Sequence, residues 1–269
     1  MSFIDIDTRK KIIINWDILN HLKTKREFFN GEIIITEHII SKDLASLLID
    51  EIKEKSLNNL KTRVSSNENK SHSHVFGNNL KEILKILNSR KFISFIEKEF
   101  NFRKGTIKED PYMSGGGVHI SQQGQFLLSH QDFNYHVITH HRRVINIILY
   151  LNQDWNYKDG GILNLEREYK NNFQSENVLP MNQQIIFRTD TNIWHGVNEI
   201  LSDKKRISIA LYYYHDVPFL NLILSIFKGR MTKFKSHKGL KNIIPYLQHK
   251  IQIVKNILFP KKSKKIQND

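Results

Sequence analysis

The 269-residue sequence contains no cysteine. That excludes disulfides, thiol nucleophiles and thiolate metal ligands, so any metal must be held by nitrogen and oxygen. No run of 18 apolar residues is present, so the sequence offers no membrane-spanning helix. The start, Met1 to Lys11, sets Asp5 and Asp7 among its apolar residues and does not read as a secretory leader. A cytoplasmic location is the expectation. No internal repeat is visible.

Acidic residues are scarce in one region. From Val217 to Asp269 there are 12 Lys and Arg and one acid, Asp269, which places +11 of the net +14 in that stretch. The other 216 residues carry 29 basic and 26 acidic side chains. The expected organisation is therefore a nearly neutral body, 1–216, and a basic extension, 217–269. Hydrophobic residues at 39% and charged residues at 25% are ordinary for a globular chain, and this length can bury one large core.

The patterning changes along the chain. Gly31 to Thr36 reads as a short strand, and Ser41 can cap a helix starting at Lys42 with Leu44, Leu47, Leu48 and Ile52 on one face. Ser65 to His74 is polar and reads as a loop, with His72 and His74 in it. Asn79 to Phe100 reads as one amphipathic helix. After Gly115-Gly116-Gly117 the period becomes that of strands: Val118–Ser121, Gln125–Ser129, Val144–Leu151, Ile162–Leu165, Gln184–Arg188 and Arg206–Tyr214. The polar stretch Asn171 to Asn182 reads as a mobile loop. Six or so short strands with glycine and asparagine turns predict a mainly β domain of sandwich or barrel type, with flanking helices. In the extension, Phe219–Phe227 and Ile243–Phe259 read as helices, and Lys261–Asp269 as disordered.

One triplet carries chemistry. Residues i and i+2 of a strand share a face, so His130-Gln131-Asp132 sets an imidazole beside a carboxylate. A second imidazole would complete a facial triad that leaves three metal positions open for cosubstrate and dioxygen. Alone the triplet is weak, because a chain with 13 His should hold about one such His-x-acid by chance. A hydrogen-bonded surface pair fits it as well.

The ordered surroundings are more specific. A Gly-x-Phe-Leu strand (Gly124, Phe126, Leu127) precedes His130. Arg143 leads into Leu149-Tyr150-Leu151-Asn152, then Asp154-Trp155 and Gly160-Gly161. Trp194-His195-Gly196-Val197 lies 63 residues after Asp132, and Arg206 follows His195 by eleven. From Gly124 through Asp216 the chain resembles the prolyl 4-hydroxylase-like branch of the Fe(II)- and 2-oxoglutarate-dependent oxygenases.

That resemblance implies a double-stranded β-helix (jelly roll, cupin-like), with the N-terminal helices packed on one sheet and the motif-bearing core over about residues 105–216. It implies that His130, Asp132 and His195 ligate Fe(II) and that Arg206 pairs with the distal carboxylate of 2-oxoglutarate. A guanidinium suits that role because its fork matches a carboxylate. Strand alternation sets Ser208 beside Arg206 for a second hydrogen bond. Tyr150 stands where family members place a 2-oxoglutarate-binding tyrosine. The implied reaction consumes O2 and 2-oxoglutarate, releases succinate and CO2, and hydroxylates a peptidyl, first of all prolyl, or small-molecule substrate. Ascorbate is a candidate accessory. Keeping Asp132, where related halogenases carry a small residue, points to hydroxylation.

Plainer readings stand beside these. Arg206 can be a surface residue next to Lys204 and Lys205, and Tyr150 a core aromatic. Trp194 reads as packing, Arg142 and Arg143 as structural, Asn134 and Tyr135 as candidates for the substrate mouth, and His136 as a neighbour of the site. A non-catalytic binding or sensor protein on the same barrel is the rival to an enzyme. The basic extension can be a helical cap, a surface for anionic membrane, or a site for nucleic acid or another polyanion.

Overall fold

The computed structural model describes the chain except residues 1, 21–25, 30, 38, 57–60, 66–67, 74–76, 111, 114–115, 170–171, 182, 217–219 and 260–269. The segment Lys261–Asp269, expected to lack regular structure, lies outside the described residues.

A hairpin of β1 (Ile4–Ile6) and β2 (Ile12–Ile14) precedes α1 (Trp16–Asn20), and β3 (Arg26–Phe28) leads to β4 (Ile33–Thr36). Helix α2 (Lys42–Ser56) starts as expected, with the Leu44 amide donating to Ser41 Oγ at 3.2 Å. Residues 65–74, expected to be a loop, are largely strand: β5 (Lys61–Ser65) pairs antiparallel with β6 (Glu68–Ser73), and position 74 lies outside the described residues. The polar composition hid the ladder, because strand pairing satisfies backbone groups whatever the side chains.

The single helix expected over 79–100 is two, α3 (Asn78–Leu87) and α4 (Arg90–Glu99). Ser89 breaks it: in extended backbone, its side chain accepts from the Phe92 amide and starts a new helix. The break lets both helices turn apolar faces inward, with Ile83, Leu87, Phe92 and Ile96 fully buried or nearly so.

The barrel strands follow: β7 (Ile107–Glu109), β8 (Gly117–Ser121), β9 (Leu127–Gln131), β10 (Arg142–Tyr150), β11 (Leu163–Tyr169), β12 (Asn172–Val178), β13 (Gln184–Arg188), β14 (Ile193–Val197) and β15 (Arg206–His215). Their hydrogen-bonded order is β12-β11-β14-β9-β6-β8-β15-β10-β13-β4-β3, and the named ladders are antiparallel. Within the stretch 171–182, expected to be a loop over the site, Asn172–Val178 instead form β12, paired with β11 from Leu163–Val178 to Tyr169–Asn172, and positions 171 and 182 lie outside the described residues. The fold is a mainly β jelly roll with helices packed on one sheet.

Alternation in β10 and β15 explains the layering. Ile145, Ile147 and Leu149 and, from β15, Ile207, Ile209, Leu211 and Tyr213 face the helices and join Leu44, Leu48, Leu80 and Ile83 in one apolar core. The opposite face carries Asn146, Ile148, Arg206, Ser208, Ala210 and Tyr212 and lines a cavity between the sheets. A second apolar cluster, including Tyr150, Leu163, Leu165, Ile185 and Phe187, fills the barrel beside that cavity.

The extension forms α5 (Leu220–Lys228) and α6 (Ile244–Leu258), as expected. Between them β16 (Lys233–Phe234) adds a short strand to β9, opposite Gln131 and His130. Two residues of strand between lysines leave no periodic signal in the sequence. Among the described residues no helix is long and apolar enough to cross a membrane.

Candidate metal centre

The centre is assembled by three elements. His130 lies in β9, Asp132 just past its end, and His195 in β14. His195 and His130 are direct partners across the antiparallel ladder, with ring centroids 4.2 Å apart. The close approach depends on Gly196, where the ladder is irregular. A Cβ there would lie 2.8 Å from the Leu127 carbonyl oxygen and 2.9 Å from the Ser129 nitrogen, both backbone atoms of β9.

His130 Nε2 is 3.6 Å from Asp132 Oδ1, and His195 Nε2 is 3.4 Å from Asp132 Oδ2. One ligand atom from each residue lies within 4.8 Å of the others, the one such group of three among the described residues. The separation of 63 residues in sequence between Asp132 and His195 is thus closed by strand pairing.

The protonation states suit ligation. His130 Nδ1 is 2.8 Å from the Leu128 carbonyl oxygen, which only accepts, so Nδ1 carries a hydrogen and Nε2 is the nitrogen turned toward Asp132. Burial, aided by His130 and opposed by Asp132, lowers the His195 pKa to about 4, so its ring is neutral at neutral pH. Burial alone would raise the Asp132 carboxyl; Arg143, with His195 and His130, outweighs it and holds the group well below the ordinary carboxylate range.

Arg143 is a site residue that sequence reasoning misses. Its context reads as structural, yet its Nη2 is 3.0 Å from Asp132 Oδ2, and its guanidinium stacks 3.3 Å from the Tyr212 ring centroid. Strict alternation would turn Arg143 away from the inner face. A register shift between Arg143 and Ile145 against β15 inserts one residue, so Arg143 pairs with inward-facing Tyr214 while Ile145 pairs with outward-facing Tyr213.

The donor set fits a divalent metal. Asp132 Oδ2 is buried between Arg143 and His195, and neither contact is aligned as a hydrogen bond. A buried carboxylate oxygen left so is costly unless a ligand completes its shell. Two imidazoles and one carboxylate, with no thiolate, suit iron with open positions.

The cavity next to the triad encloses about 670 Å³, counting its open mouth. Arg206 and Ser208 line it, as alternation predicts, together with His119, Ser121, Gln125 and Asn146. Arg206 is buried and held at two points: Nε donates to the Gly161 carbonyl at 3.0 Å and Nη2 to the Tyr150 hydroxyl at 2.8 Å. Tyr150 is fully buried behind Arg206 rather than on the cavity wall. Asn146 Oδ1 is buried without a hydrogen-bond partner on the same wall. Asn146 shares its strand face with Ile148 and Tyr150, a signal that the sequence does contain, and His119 can be found from its alternation with Ser121.

Other candidates sit elsewhere. Asn134 does not line the cavity, and it ties to the extension: its Nδ2 donates to the Lys228 carbonyl and its Oδ1 accepts from the Arg230 amide. Tyr135 is buried in a bridge to Arg142. His136 lies 3.7 Å from Asp110, stacks on Tyr112 and packs edge-on against Tyr214, within electrostatic reach of Arg143.

Residues 116–214 match the family model described as the 2OG-Fe(II) oxygenase superfamily. No curated protein sequence matches the chain. Among solved structures, a Pseudomonas putida prolyl-4-hydroxylase is 16% identical with a TM-score of 0.51, the match covering 75% of this chain and 99% of that one. A prolyl hydroxylase from Trichoplax adhaerens, solved with a hypoxia inducible factor oxygen degradation domain peptide fragment, is 18% identical with a TM-score of 0.53, covering 74% and 87%. A Burkholderia pseudomallei oxidoreductase of the 2OG-Fe(II) oxygenase family is 12% identical with a TM-score of 0.50, covering 80% and 96%. At these identities the likeness is one of fold.

Proposed function

We propose that this chain, a 2-oxoglutarate-dependent oxygenase with its 2OG-Fe(II) oxygenase segment at residues 116–214, hydroxylates a peptidyl or small-molecule substrate, prolyl peptides being the first class to test. The observation that carries the reading is the convergence of His130, Asp132 and His195 at a cavity also lined by a fixed guanidinium, Arg206. The two prolyl hydroxylases of similar fold support the substrate class, which fold likeness does not by itself decide.

In this reading the two Nε2 atoms and the Asp132 carboxylate hold Fe(II). Iron and 2-oxoglutarate, when bound, would supply the oxidation, with one atom of O2 going into succinate as CO2 is lost and the other into a substrate C–H bond. Arg206 receives the distal carboxylate of 2-oxoglutarate, and Ser208 adds a hydroxyl from the same strand face. Tyr150 acts through Arg206, fixing the plane of the fork; this is a positioning role. Arg143 keeps Asp132 ionised, so the site presents one negative charge to a dication. The apolar wall of Ile148, Leu163, Val197 and Ala210 limits water beside the reacting atoms. Ascorbate would serve to keep the iron reduced.

The test is anaerobic titration of the apoprotein with Fe(II) and 2-oxoglutarate, watching the visible charge-transfer band of the chelate. A band in the wild type that is absent in His130→Ala and His195→Ala supports the reading. Folded protein that binds no iron would sink it, and binding without any turnover of 2-oxoglutarate would favour a sensor on the same barrel.

A further inference from the structure

Helix α6 is built inside out. Pro245, His249 and Ile253, four residues apart, are its buried positions and turn toward the body. Ile244, Leu247, Ile251, Val254 and Leu258 recur at spacings of three and four on the opposite side. Advancing about 100° per residue, they fall within roughly 80° of the circumference. All five are exposed, Leu247 at 55%, Ile251 at 53% and Val254 at 52%. Lys255 and Gln248 border the stripe. Leu240, Ile243, Ile257 and Phe259 add exposed apolar surface at the two ends of this helix, and Phe227 does so on α5. An exposed apolar ridge of this extent marks an interaction surface.

Charge selects the partner. Residues 220–259 carry eight Lys and Arg and no acid. Lys255 on α6 and Lys238 and Lys241 just before it are exposed, as is Lys228 at the end of α5. A second copy of the chain would bring the same positive charge against it. Nucleic acid would take the charge but has no use for a stripe of Ile, Leu and Val, and few aromatics stand among these lysines to stack on bases. A bilayer surface with anionic headgroups satisfies both features, since aliphatic side chains enter the acyl boundary while lysines remain at the headgroups.

We propose that the outward face of α6, with the basic residues around it, docks the protein on an anionic lipid surface. The helix lies in the interface and does not cross it. The assignment is independent of the chemistry at the triad. Hydrogen bonds tie the extension to the barrel, Arg230 Nη1 to the Asp132 carbonyl oxygen at 2.7 Å and Asn256 Nδ2 to the Val137 carbonyl oxygen at 3.0 Å, so docking of α6 orients the whole domain.

The experiment is co-sedimentation of the full chain with phosphatidylcholine vesicles, with or without about 30% phosphatidylserine, a content that gives a strongly anionic surface. Binding is expected to the anionic vesicles and to weaken as salt is raised. The triple variant Leu247→Ser, Ile251→Ser, Val254→Ser should lose about tenfold or more in binding, because its buried apolar area is removed. Lys238→Glu, Lys241→Glu, Lys255→Glu should lose as much through charge. Both variants alter exposed positions, and circular dichroism checks their folding. Wild-type protein that stays in the supernatant with anionic vesicles overturns the proposal. So does undiminished binding by both folded variants, retention on DNA without vesicle binding, or a dimer in place of vesicle binding that the serine variant abolishes.

Discussion

Arg230, in the basic extension, donates from Nη1 to the backbone carbonyl of Asp132 at 2.7 Å, so a residue outside the barrel secures the chain at the candidate metal ligand. The same guanidinium reaches the Gln131 carbonyl at 3.3 Å and the Gln131 side-chain oxygen at 3.1 Å. Hydrogen bonds from a charged donor contribute about 1.5–3 kcal/mol each, less where solvent competes. Arg230→Met is expected to lower the melting temperature and weaken Fe(II) binding several-fold. Calorimetry and the charge-transfer titration measure the two effects, and unchanged iron affinity would show that the strap does not support the site.

Tyr150→Phe isolates the anchor behind Arg206. The ring remains, and only the hydroxyl that accepts from Nη2 is lost. A net loss of about 1 kcal/mol corresponds to roughly fivefold weaker 2-oxoglutarate binding, with iron binding unchanged. The titration midpoint for 2-oxoglutarate at saturating Fe(II) reads this directly; equal weakening of both ligands would mean a general loosening instead.

At Gly196 the issue is space between strands. An added Cβ meets the backbone of β9 at 2.8 and 2.9 Å, which cannot yield as a flexible side chain would. Gly196→Ala should push β14 from β9, separate His195 from His130, and abolish iron binding at a cost of about 1–3 kcal/mol in stability. Retained iron affinity would disprove the close-approach argument.

His249 makes the extension sensitive to acid. Fully buried between α5 and α6, its ring has a pKa lowered to about 4 by burial, with Lys250 and His140 adding to the effect and Ser225 opposing it. Its ordinary value is 6.5, so the unfolded chain takes up the proton first. The stability it contributes is therefore present above about pH 6.5 and drains away as pH falls toward 4, by an amount of order 1–3 kcal/mol. Hydrogen exchange in α6 at pH 7 and pH 5 should show faster opening at the lower pH, and His249→Gln should flatten that difference. An equal difference in the variant would assign the effect to other groups.

Features that depend on local repetition are legible in the sequence. Period-two alternation in Arg206–Tyr214 puts Arg206 and Ser208 on one face and Ile207, Ile209 and Leu211 on the other, and β15 has that arrangement. His130 and Asp132 are adjacent by spacing alone, and the ordered motif around them locates His195. Misreadings arise where a local rule is overruled. Ser89 caps a new helix inside a continuous apolar period, and the largely polar Asn172–Val178 is recruited into β12 by backbone pairing that asks nothing of side-chain polarity.

The sequence by itself determined the alternation of the strands, the excess charge of the extension and the identity of the three candidate ligands, because each is a property of near neighbours or of ordered motifs along the chain. Tertiary structure alone decided that Arg143 meets Asp132, that Tyr150 stands behind Arg206, and that β16 seals β9 beside His130. The physical reason is register: one extra residue between Arg143 and Ile145 reverses which side chain faces inward, and that shift is chosen by the packing of β10 against β15 rather than by any local preference of Arg143.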